Sequence, residues 1–384
     1  MYDIKLLNKI SQNGLSLLPS LKYNCSEDAA EPHGILVRSA KMHDMPFGDN
    51  LLAIARAGAG VNNIPLEKCI KNGIVVFNTP GANANAVKEL VVLGIMLSAR
   101  KVFEGMQWVQ TLKGQGGEVP ALVEKGKSDF AGPEIKGKKL GIIGLGAIGA
   151  MVSSAAAELG MEIFGYDPFL AVDSALKISA GITRSTSIRE VFEQCDYITL
   201  HLPSLDDTKG MINAQTIAMM KKGVCILNFA RGNLVVNQDI IEALDEGQVR
   251  RYLTDFPEDE LLGHPGVLAI PHLGASTPES EENCAIMAVG QLREYLEYGN
   301  IVNAVNLPNI CVPPSQQARI CVIHKNKPGL INNVSSLINV NIGSLTNANK
   351  GDIGYTIIEI SAPQAGLCDE IAKISDVIRV RGIG

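Results

Sequence analysis

The sequence predicts an α/β protein with two doubly wound parallel-sheet domains, followed by a small α+β domain of the ferredoxin-like type. Up to residue 305, short apolar runs alternate with helical patterns, which is typical of parallel sheets covered by helices. Residues 306–315 contain three prolines and favour neither a helix nor a central strand, so they predict a linker. Beyond this linker the pattern changes to short strands and helices in a βαββαβ order.

The strands are predicted from apolar runs bounded by glycine, proline or asparagine. They lie at residues 34–38, 51–56, 73–78, 139–143, 162–166, 197–202, 224–229, 251–255, 266–270, 318–324 and 354–360. Buried or amphipathic helices are predicted at residues 86–100, 281–298 and 329–337, and Asn237 is predicted to be the N-cap of another. Residues 112–139 are a polar, glycine-rich passage.

Composition narrows the class of protein. Hydrophobic residues make up 46% and charged residues 19%, which supplies ample material for packed cores. The net charge is −6 without a basic stripe, so we expect no nucleic-acid partner. The eight scattered cysteines and the lack of an apolar leader predict reduced thiols, no metal site and a cytoplasmic location. Residues 140–157 carry no charge, but four glycines predict strand, turn and helix rather than a membrane span.

A glycine motif supplies the sharpest local signal. It consists of Gly144, Leu145, Gly146, Ala147, Ile148 and Gly149, and it lies between an apolar strand and an alanine-rich helix. The next strand ends at Asp167, 23 residues after Gly144. In a dinucleotide site the three glycines allow the tight turn, the approach of a pyrophosphate and close helix packing, and the acid accepts hydrogen bonds from a ribose. The alternative is a glycine-rich turn without a ligand, but the complete context favours a nucleotide, and Asp167 favours NAD over NADP.

Hydride transfer also needs an anchor for the substrate and a general acid or base. Arg231 follows an apolar strand, where a guanidinium could bind a carboxylate through two hydrogen bonds. His272 follows a later short strand, and an acidic cluster, residues 258–260, lies between the two. Each feature has a simpler alternative: Arg231 could be a salt-bridge partner, His272 a turn residue, and residues 258–260 a solvated loop. Only their position after a dinucleotide motif favours catalysis.

The ordered motifs resemble those of the D-isomer-specific 2-hydroxyacid dehydrogenases. They are the glycine motif, Tyr166-Asp167-Pro168, His201-Leu202-Pro203, residues 228–232, residues 254–257 and residues 271–277. The resemblance covers nearly the whole chain and is greatest to members that oxidise 3-phospho-D-glycerate. It implies a Rossmann-type cofactor domain (residues 99–284) inserted in a flavodoxin-like substrate domain (residues 1–98 and 285–310), with a regulatory domain at residues 316–384.

The resemblance also implies the roles of individual residues. Arg231 would hold the substrate carboxylate, His272 would exchange the hydroxyl proton, and an acid would pair with His272. Ungapped counting from Arg231 places that acid at Glu260, whereas the local motif places it at Asp259, and Glu258 remains open. The implied NAD contacts are the six residues of the glycine motif, Asp167, His201, Leu202, Pro203, Ala230, Arg231, Asp255, His272 and Gly274.

Two further groups carry over from the resemblance. Arg38, Ser39 and Lys41 would bind a substrate phosphate, with Ala59, Gly60 and Asn83 as further substrate contacts beside Arg231 and His272. A solvated basic turn is the alternative for Arg38 and Lys41. After the linker, residues 324–329 resemble the ligand turn of ACT regulatory domains, which bind amino acids between paired domains. The resemblance implies L-serine as an effector at His324 and Asn326, with Asn341 as a third contact from the neighbouring subunit. A domain that serves dimerisation alone is the alternative.

We therefore expect an NAD-dependent oxidation of 3-phospho-D-glycerate to 3-phosphooxypyruvate by a homodimer or homotetramer, with no membrane partner. Two other functions stay open. Another D-2-hydroxyacid dehydrogenase, of the glycerate or glyoxylate reductase type, would not need Arg38, Ser39 and Lys41. A non-enzymatic NAD-sensing protein could use the same fold.

Overall fold

The computed structural model describes residues 1–170, 178 and 181–384 and divides into two compact units. Unit 1 comprises Met1–Asn83 and Pro278–Gly384, and unit 2 comprises Ala84–Thr277. Both units contain the parallel sheet that the alternating pattern predicts. The domain division predicted above, with its boundaries near residues 98 and 284, stays a prediction.

Unit 1 begins with a five-stranded parallel sheet. Its elements in chain order are β1 (Tyr2–Leu6), α1 (Gln12–Leu15), β2 (Tyr23–Ser26), β3 (Gly34–Val37), β4 (Ala53–Arg56), α2 (Leu66–Lys71) and β5 (Val75–Phe77). The strand order β2-β1-β3-β4-β5 is the flavodoxin-like order. Strands β3 to β5 are almost wholly buried, which explains why they appear in the sequence as continuous apolar runs rather than alternating ones.

Unit 2 holds a seven-stranded parallel sheet with the order β12-β11-β10-β9-β6-β7-β8. The strands are β6 (Lys139–Ile143), β7 (Glu162–Tyr166), β8 (Thr183–Arg184), β9 (Tyr197–Leu200), β10 (Val224–Asn228), β11 (Val249–Thr254) and β12 (Val267–Ala269). The described helices are α3 (Ala84–Ala99), α4 (Val102–Thr111), α5 (Val119–Gly126), α6 (Ala147–Glu158), α7 (Ile188–Gln194), α8 (Ala214–Ile217) and α9 (Asn237–Asp245). This order is that of a Rossmann fold with an added strand.

The two faces of the unit 2 sheet have separate apolar cores. Alternate residues of β6 and β9, such as Ile142 and Tyr197, pack with α3 and α6 on one face. Their neighbours Ile143 and Ile198 pack with α7 to α9 on the other face. This period of two arises because successive strand side chains point to opposite faces. The sheet therefore holds the carboxyl ends of β6, β9, β10 and β11 side by side, and the predicted site residues follow those ends.

Local differences from the sequence prediction have simple causes. The polar passage at residues 112–139 contains α5, which the sequence does not predict. Its amphipathic pattern is hard to recognise among the many charged and glycine residues of this passage. Asn237 is the first residue of α9 rather than its N-cap, which is Val236. The strand predicted at residues 197–202 ends at Leu200, since His201 and Leu202 leave the sheet and lie against Gly144.

The second segment of unit 1 begins with α10 (Pro278–Tyr298) and continues with β13 (Ala318–Lys325), α11 (Leu330–Ser335), β14 (Ile342–Lys350), β15 (Ile353–Ile360), α12 (Leu367–Ala372) and β16 (Val377–Ile383). The four strands form an antiparallel sheet in the order β14-β15-β13-β16. The βαββαβ order and the antiparallel sheet confirm the predicted small α+β fold.

Both faces of this antiparallel sheet are covered. One face, with Ile320 and Ile358, packs against α11 and α12. The other face, with Ile323, Tyr355 and Ile357, shares one apolar core with α10 and the parallel sheet of unit 1. The Tyr355 hydroxyl donates a hydrogen bond of 2.6 Å to the carbonyl of Gly299, just beyond the end of α10. The sheet is therefore fixed to the last turn of α10 by both apolar packing and polar contacts.

Residues 140–157 form β6, the glycine turn and most of α6, as the sequence predicts. Among the helices that the structure describes, none combines the length and apolar character needed to cross a membrane. All eight cysteines lie among the described residues and are unpaired, seven of them buried or half-buried and Cys311 exposed.

Candidate active site

The glycine turn lies between β6 and the N-terminus of α6. Gly144 has φ +95°, a conformation that favours glycine, and an added Cβ would meet the carbonyl oxygen of His201 at 2.5 Å. A Cβ on Gly149 would overlap the carbonyl oxygen of Gly144, whereas a Cβ on Gly146 would meet nothing within 4 Å. Gly144 and Gly149 are therefore needed for the turn itself, while Gly146 leaves an open approach to the helix N-terminus.

Asp167 holds this turn from the end of β7. Its carboxylate accepts hydrogen bonds from the backbone N–H of Leu145 at 2.9 Å and of Phe169 at 2.8 Å. A carboxylate has about four acceptor positions, so capacity remains for a ribose hydroxyl. The negative charge beside the turn would repel a 2′-phosphate, in line with the sequence prediction of NAD.

His201 and Leu202 form the opposite wall of the turn, against Gly144. Burial lowers the pKa of the His201 imidazole to about 3, so the ring is neutral at physiological pH. Its Nε2 lies 3.1 Å from the Thr199 hydroxyl, and its buried Nδ1 has no partner among the described residues. Pro203 accepts a hydrogen bond from the Thr208 hydroxyl, which shapes the loop that follows.

The turn that carries Arg231 is built by the fully buried Asn228 at the end of β10. The Asn228 side-chain oxygen accepts from the N–H groups of Ala230 (3.2 Å) and Arg231 (3.3 Å), and its amide donates to the Arg231 carbonyl (2.9 Å). The Arg231 guanidinium in turn donates to the Ala230 carbonyl at 2.6 Å. The backbone of Arg231 is thus held on both sides, which fixes the origin of a long, flexible side chain.

Asp255 connects the end of β11 to the loop of His272. It is 1% exposed, and its Oδ2 accepts a hydrogen bond from the N–H of Gly274 at 3.2 Å. Burial raises the pKa of the Asp255 carboxyl, while the nearby His272 and Arg231 act in the opposite direction. The structure therefore brings Arg231, Asp255 and His272 into one electrostatic neighbourhood within unit 2.

The acidic cluster is placed differently. Glu258, Asp259 and Glu260 are all exposed, and Glu258 accepts a hydrogen bond from the Asn237 side chain at 2.7 Å. Within residues 1–170, 178 and 181–384, the histidine ion pairs are those of His33 and His264, so no carboxylate lies within 4.0 Å of a His272 nitrogen. The ring of His272 instead faces Phe256, with the ring centroids 4.7 Å apart.

The predicted phosphate-binding turn of unit 1 follows β3. The backbone N–H groups of Arg38, Ser39 and Ala40 all donate to the side-chain oxygen of Asn8, at 2.9 to 3.2 Å. The Arg38 guanidinium forms a half-exposed ion pair of 2.6 Å with Glu281. Because Asn8 already occupies the backbone donors, an anion at this turn would have to contact the side chains of Arg38, Ser39 and Lys41.

The other predicted substrate residues of unit 1 lie after β4 and β5. Ala59 accepts a hydrogen bond from the Asn78 side chain at 2.7 Å through its carbonyl, and Gly60 is half-buried next to it. Asn83 is half-buried in the turn that follows β5. Arg56, at the end of β4, donates from Nε to the Arg38 carbonyl at 3.1 Å.

Comparisons with known proteins agree with this geometry. The model of the D-isomer specific 2-hydroxyacid dehydrogenase NAD binding domain matches residues 93–274. Over 350 residues the chain is 31% identical to D-3-phosphoglycerate dehydrogenase of Haemophilus influenzae, and the match covers 86% of this chain and 81% of that one. The chain belongs to the D-isomer-specific 2-hydroxyacid dehydrogenase family.

Other relatives of this dehydrogenase extend the comparison. It is 33% identical to D-3-phosphoglycerate dehydrogenase of Bacillus subtilis, covering 80% of this chain but only 59% of that longer one. A crystal structure of NAD+-bound 3-phosphoglycerate dehydrogenase from Entamoeba histolytica is similar with a TM-score of 0.61 and 27% identity, covering 79% of this chain and 98% of that one. The D-mandelate dehydrogenase of Rhodotorula graminis, with a TM-score of 0.69 and 20% identity, shares the fold.

The protein is thus an NAD-dependent D-2-hydroxyacid dehydrogenase, and unit 2 fits the cofactor. The first turn of α6 has no side-chain cap, so its free N–H groups and helix dipole favour a pyrophosphate. The buried Oδ1 of Asp255 has no partner among the described residues, and such an acceptor suits the amide group of a nicotinamide.

The C-terminal residues of this dehydrogenase are not brought together as one open site within the chain. His324 is 2% exposed, and its ring contacts the Thr356 hydroxyl at 2.9 Å, the Asn347 side chain at 3.3 Å and the Lys325 carbonyl at 2.9 Å. Asn326 and Asn341 are exposed. An effector could bind His324 only by replacing hydrogen bonds that the ring already makes.

Sequence reasoning missed three residues that shape the site of the dehydrogenase. Asn8 holds the turn of Arg38, Asn228 holds that of Arg231, and Phe256 packs against His272. Asn228 could have been found, because an asparagine at the end of a buried strand is a common turn-forming residue. Phe256 lies in the motif at residues 254–257, but the motif assigns it no contact with His272. Asn8 acts on residues distant in sequence, so no local pattern marks it.

Proposed function

We propose that this dehydrogenase oxidises 3-phospho-D-glycerate to 3-phosphooxypyruvate with NAD+. Two kinds of observation support the proposal. The relatives at about 31–33% identity are named D-3-phosphoglycerate dehydrogenase. The observation that carries it is that the buried Asp255 interacts both with Arg231, a cation that can bind a carboxylate, and with His272, a group that can accept a proton.

In the proposed reaction the Arg231 guanidinium binds the carboxylate of the substrate through two hydrogen bonds and polarises the oxygen on C2. His272 accepts the proton of the C2 hydroxyl while the C2–H bond breaks and the C2–O double bond forms. Bound NAD+ would supply the acceptor for the hydride that leaves C2, and the product would be NADH. In the reverse direction His272 returns its proton to the oxygen.

Asp255 has two proposed roles in this scheme. Its buried negative charge favours the protonated imidazole that forms on His272, because opposite charges at short range stabilise each other in a poorly solvated site. Its Oδ1 would accept a hydrogen bond from the nicotinamide amide. The hydrogen bond from the Gly274 N–H keeps the carboxylate in place for both.

We propose Glu260 as the acid that pairs with His272 during turnover, with Asp259 and Glu258 as the alternatives. The support is its position relative to Arg231 and its place in the short turn Asp259–Leu261, whose Leu261 is buried and anchors the segment. Single substitutions Glu260→Gln, Asp259→Asn and Glu258→Gln separate the three. The paired acid is the one whose change lowers kcat by about tenfold or more, a usual loss for groups that orient a catalytic base.

The phosphate of the substrate is proposed to bind Arg38, Ser39 and Lys41, with Ala59, Gly60 and Asn83 as further contacts. The support is positional, since a cation at the end of a parallel strand can offer a fork of N–H donors to an anion. Arg56 adds a second guanidinium beside the Arg38 carbonyl. The substrates of the glycerate and glyoxylate reductase types carry no phosphate. The side chains of Arg38, Ser39 and Lys41 therefore distinguish a phosphoglycerate dehydrogenase from these reductases.

We further propose a cytoplasmic homodimer or homotetramer with the domain division given by the family resemblance. L-serine is proposed as an effector at His324, Asn326 and Asn341, on the resemblance of residues 324–329 to an ACT ligand turn. Binding at His324 requires exchange of its hydrogen bonds with Thr356 and Asn347. Addition of serine to the assay below tests this effector directly.

The test follows NADH formation by absorbance with purified enzyme, NAD+ and 3-phospho-D-glycerate, and NADH consumption with 3-phosphooxypyruvate. We expect turnover in wild type and its loss in His272→Ala. His264→Ala is the matched control, because His264 lies in the same unit and bonds to Asp245 and Gly266 instead. An active His272→Ala variant would falsify the assignment of the acid–base group.

Substrate identity is tested with Arg38→Met, which removes the charge but keeps a long side chain. We expect kcat/KM for phosphoglycerate to fall by about tenfold or more, the effect of losing a charged hydrogen bond, and kcat/KM for D-glycerate to be unchanged. Reduction of glyoxylate or hydroxypyruvate, without turnover of the phosphorylated substrates, would instead assign the enzyme to the reductase type.

A further inference from the structure

The contact between Phe256 and His272 is a second feature of the proposed catalytic centre. Phe256 follows Asp255 directly after β11, and its ring centroid lies 4.7 Å from that of His272 with 55° between the ring planes. The separation and tilt are typical of a favourable aromatic pair. The pair lies wholly within unit 2.

The backbone and the Cβ of Phe256 are restrained from two sides. Its backbone N–H donates to the hydroxyl of Thr254 at 3.0 Å, and Thr254 is fully buried. Its Cβ packs against the turn after Arg231, where a Cβ added to Gly232 would meet it at 3.1 Å. Phe256 thus touches the turn of the substrate anchor and the proton-accepting ring at once.

His272 is exposed and has few other restraints. In the part of the chain that the structure describes, no carboxylate lies within 4.0 Å of its ring nitrogens, and its backbone carbonyl accepts only a long contact of 3.5 Å from Ser276. The charged group that interacts with it is Asp255, which is tied to Gly274 and also interacts with Arg231. Phe256 is therefore the side chain that restrains the ring itself.

We infer that Phe256 is a positioning residue that orients His272 and stabilises its protonated ring, an inference that rests on the proposed function of His272. The imidazole is neutral before the C2 hydroxyl proton arrives and positively charged afterwards. The π face of an aromatic ring attracts a cation but not a neutral ring, so the contact favours the charged state. An aliphatic side chain of similar size would retain the packing and lose this preference.

The first test compares Phe256→Leu with Phe256→Tyr, which keeps the aromatic ring. The rate of phosphoglycerate oxidation is measured from about pH 4.5 to about pH 10, so that the acidic limb of the profile lies inside the range. The values of kcat and KM are determined at each pH. In Phe256→Leu we expect kcat to fall about fivefold and the acidic limb of the kcat profile to move down by about half a pH unit, which corresponds to loss of a cation–π contact. In Phe256→Tyr both should stay near wild type.

The shift of the acidic limb is the readout that a merely structural role would not produce. A Phe256→Leu enzyme with wild-type kcat and an unmoved acidic limb would overturn the inference.

A second variant keeps the test valid if Phe256→Leu does not fold. Pentafluorophenylalanine introduced at position 256 keeps the shape of the ring and reverses its quadrupole, so it should move the acidic limb in the same direction as leucine. An unchanged limb in this variant overturns the inference. His272→Ala run in parallel separates the two levels of the argument: if it stays active the proposed function fails, and if it is inactive while the Phe256 variants match wild type, only the inference fails.

Discussion

The buried ion pair between Arg319 and Glu359 leads to a quantitative prediction for the antiparallel sheet. The Arg319 Nε and Nη2 donate to Glu359 Oε1 at 3.1 and 2.9 Å, and the two side chains are 4% and 11% exposed. The hydroxyls of Ser315 and Ser344 donate to the same carboxylate at 2.6 and 2.7 Å. The Arg319 Nη1 also donates at 2.9 Å to the carbonyl of Tyr298, so the pair connects β13 and β15 to the end of α10.

Glu359→Gln keeps the shape of this site and removes one charge. Because the guanidinium stays buried without its counter-ion, removal of one partner of such a pair costs about 3–5 kcal/mol. The remaining carbonyl acceptors of Arg319 place the expected loss near the lower limit. A loss of about 3 kcal/mol increases the open population of the sheet roughly a hundredfold, since each 1.4 kcal/mol is a factor of ten.

Hydrogen exchange of the backbone amides of β13 measures this opening locally, without the assumption that the whole chain unfolds in one step. We expect exchange about a hundredfold faster in Glu359→Gln at pH 7. The double variant Arg319→Met, Glu359→Leu should recover most of the protection, because an apolar pair avoids the buried unpaired charge. Exchange less than about threefold faster in the single variant would refute this reasoning about the pair.

The same pair gives a pH dependence with a defined sign. The hydrogen bond from Ser315, supported by Ser344 and Arg319, lowers the pKa of the Glu359 carboxyl below its usual range. A lowered folded-state pKa contributes stability that is present above the unfolded pKa, about 4.3 for glutamate, and is lost as the pH falls through the folded value. The difference in stability between wild type and Glu359→Gln should therefore be full at pH 7, begin to decrease near the unfolded pKa of about 4.3, and disappear only below the lowered folded-state pKa.

Three further predictions concern unit 2. Gly149→Ala should destabilise the fold and abolish NADH binding, whereas Gly146→Ala should keep the wild-type urea midpoint and weaken NADH binding measured by fluorescence; equal stability of the two would contradict the geometry of the turn. Asp255→Asn should raise the free energy of unfolding by about 1 kcal/mol at pH 7 and lower activity, because it removes a buried charge with an unpartnered oxygen. Since burial raises the Asp255 pKa, this gain should shrink as the pH falls towards 4, and a pH-independent gain would count against it. Asp167→Asn should narrow the preference for NAD over NADP, which the ratio of kcat/KM values tests, and an unchanged ratio would remove Asp167 from cofactor selection.

Most of the fold and part of the candidate site could be predicted from the sequence. The physical reason is that some features depend on neighbouring residues, whereas others depend on residues that are distant in the sequence. Apolar runs, helix periods and the glycine motif are local, so they predict the strands and place Gly144 and Asp167 correctly at neighbouring strand ends. The hydrogen bond from the Arg38 N–H to the Asn8 side chain joins residues that are 30 positions apart. It depends on the pairing of β1 with β3, which no local pattern in the sequence predicts.

At His324 a local motif and the strand pattern favour different surroundings for one side chain. Its turn resembles a ligand site, but the alternation of β13 places it on the inner face with Ile320 and Val322, where Thr356 and Asn347 satisfy its ring. The alternation was visible in the sequence and favours a buried histidine. The motif suggested a ligand, while the period of the strand determined where the side chain points.

The shared core beneath the antiparallel sheet affects how this protein can be recombined. Tyr355 and Ile357 lie in the same apolar cluster as Tyr295 of α10 and Phe77 of β5. A chimera that exchanged only the last seventy or so residues would leave an unmatched surface on both parents, since interiors tolerate little change of shape. A segment exchanged between homologues therefore has to include α10 together with the antiparallel sheet. We expect homologues to have exchanged these segments jointly, and not to have exchanged the sheet alone with a junction in the proline-rich linker.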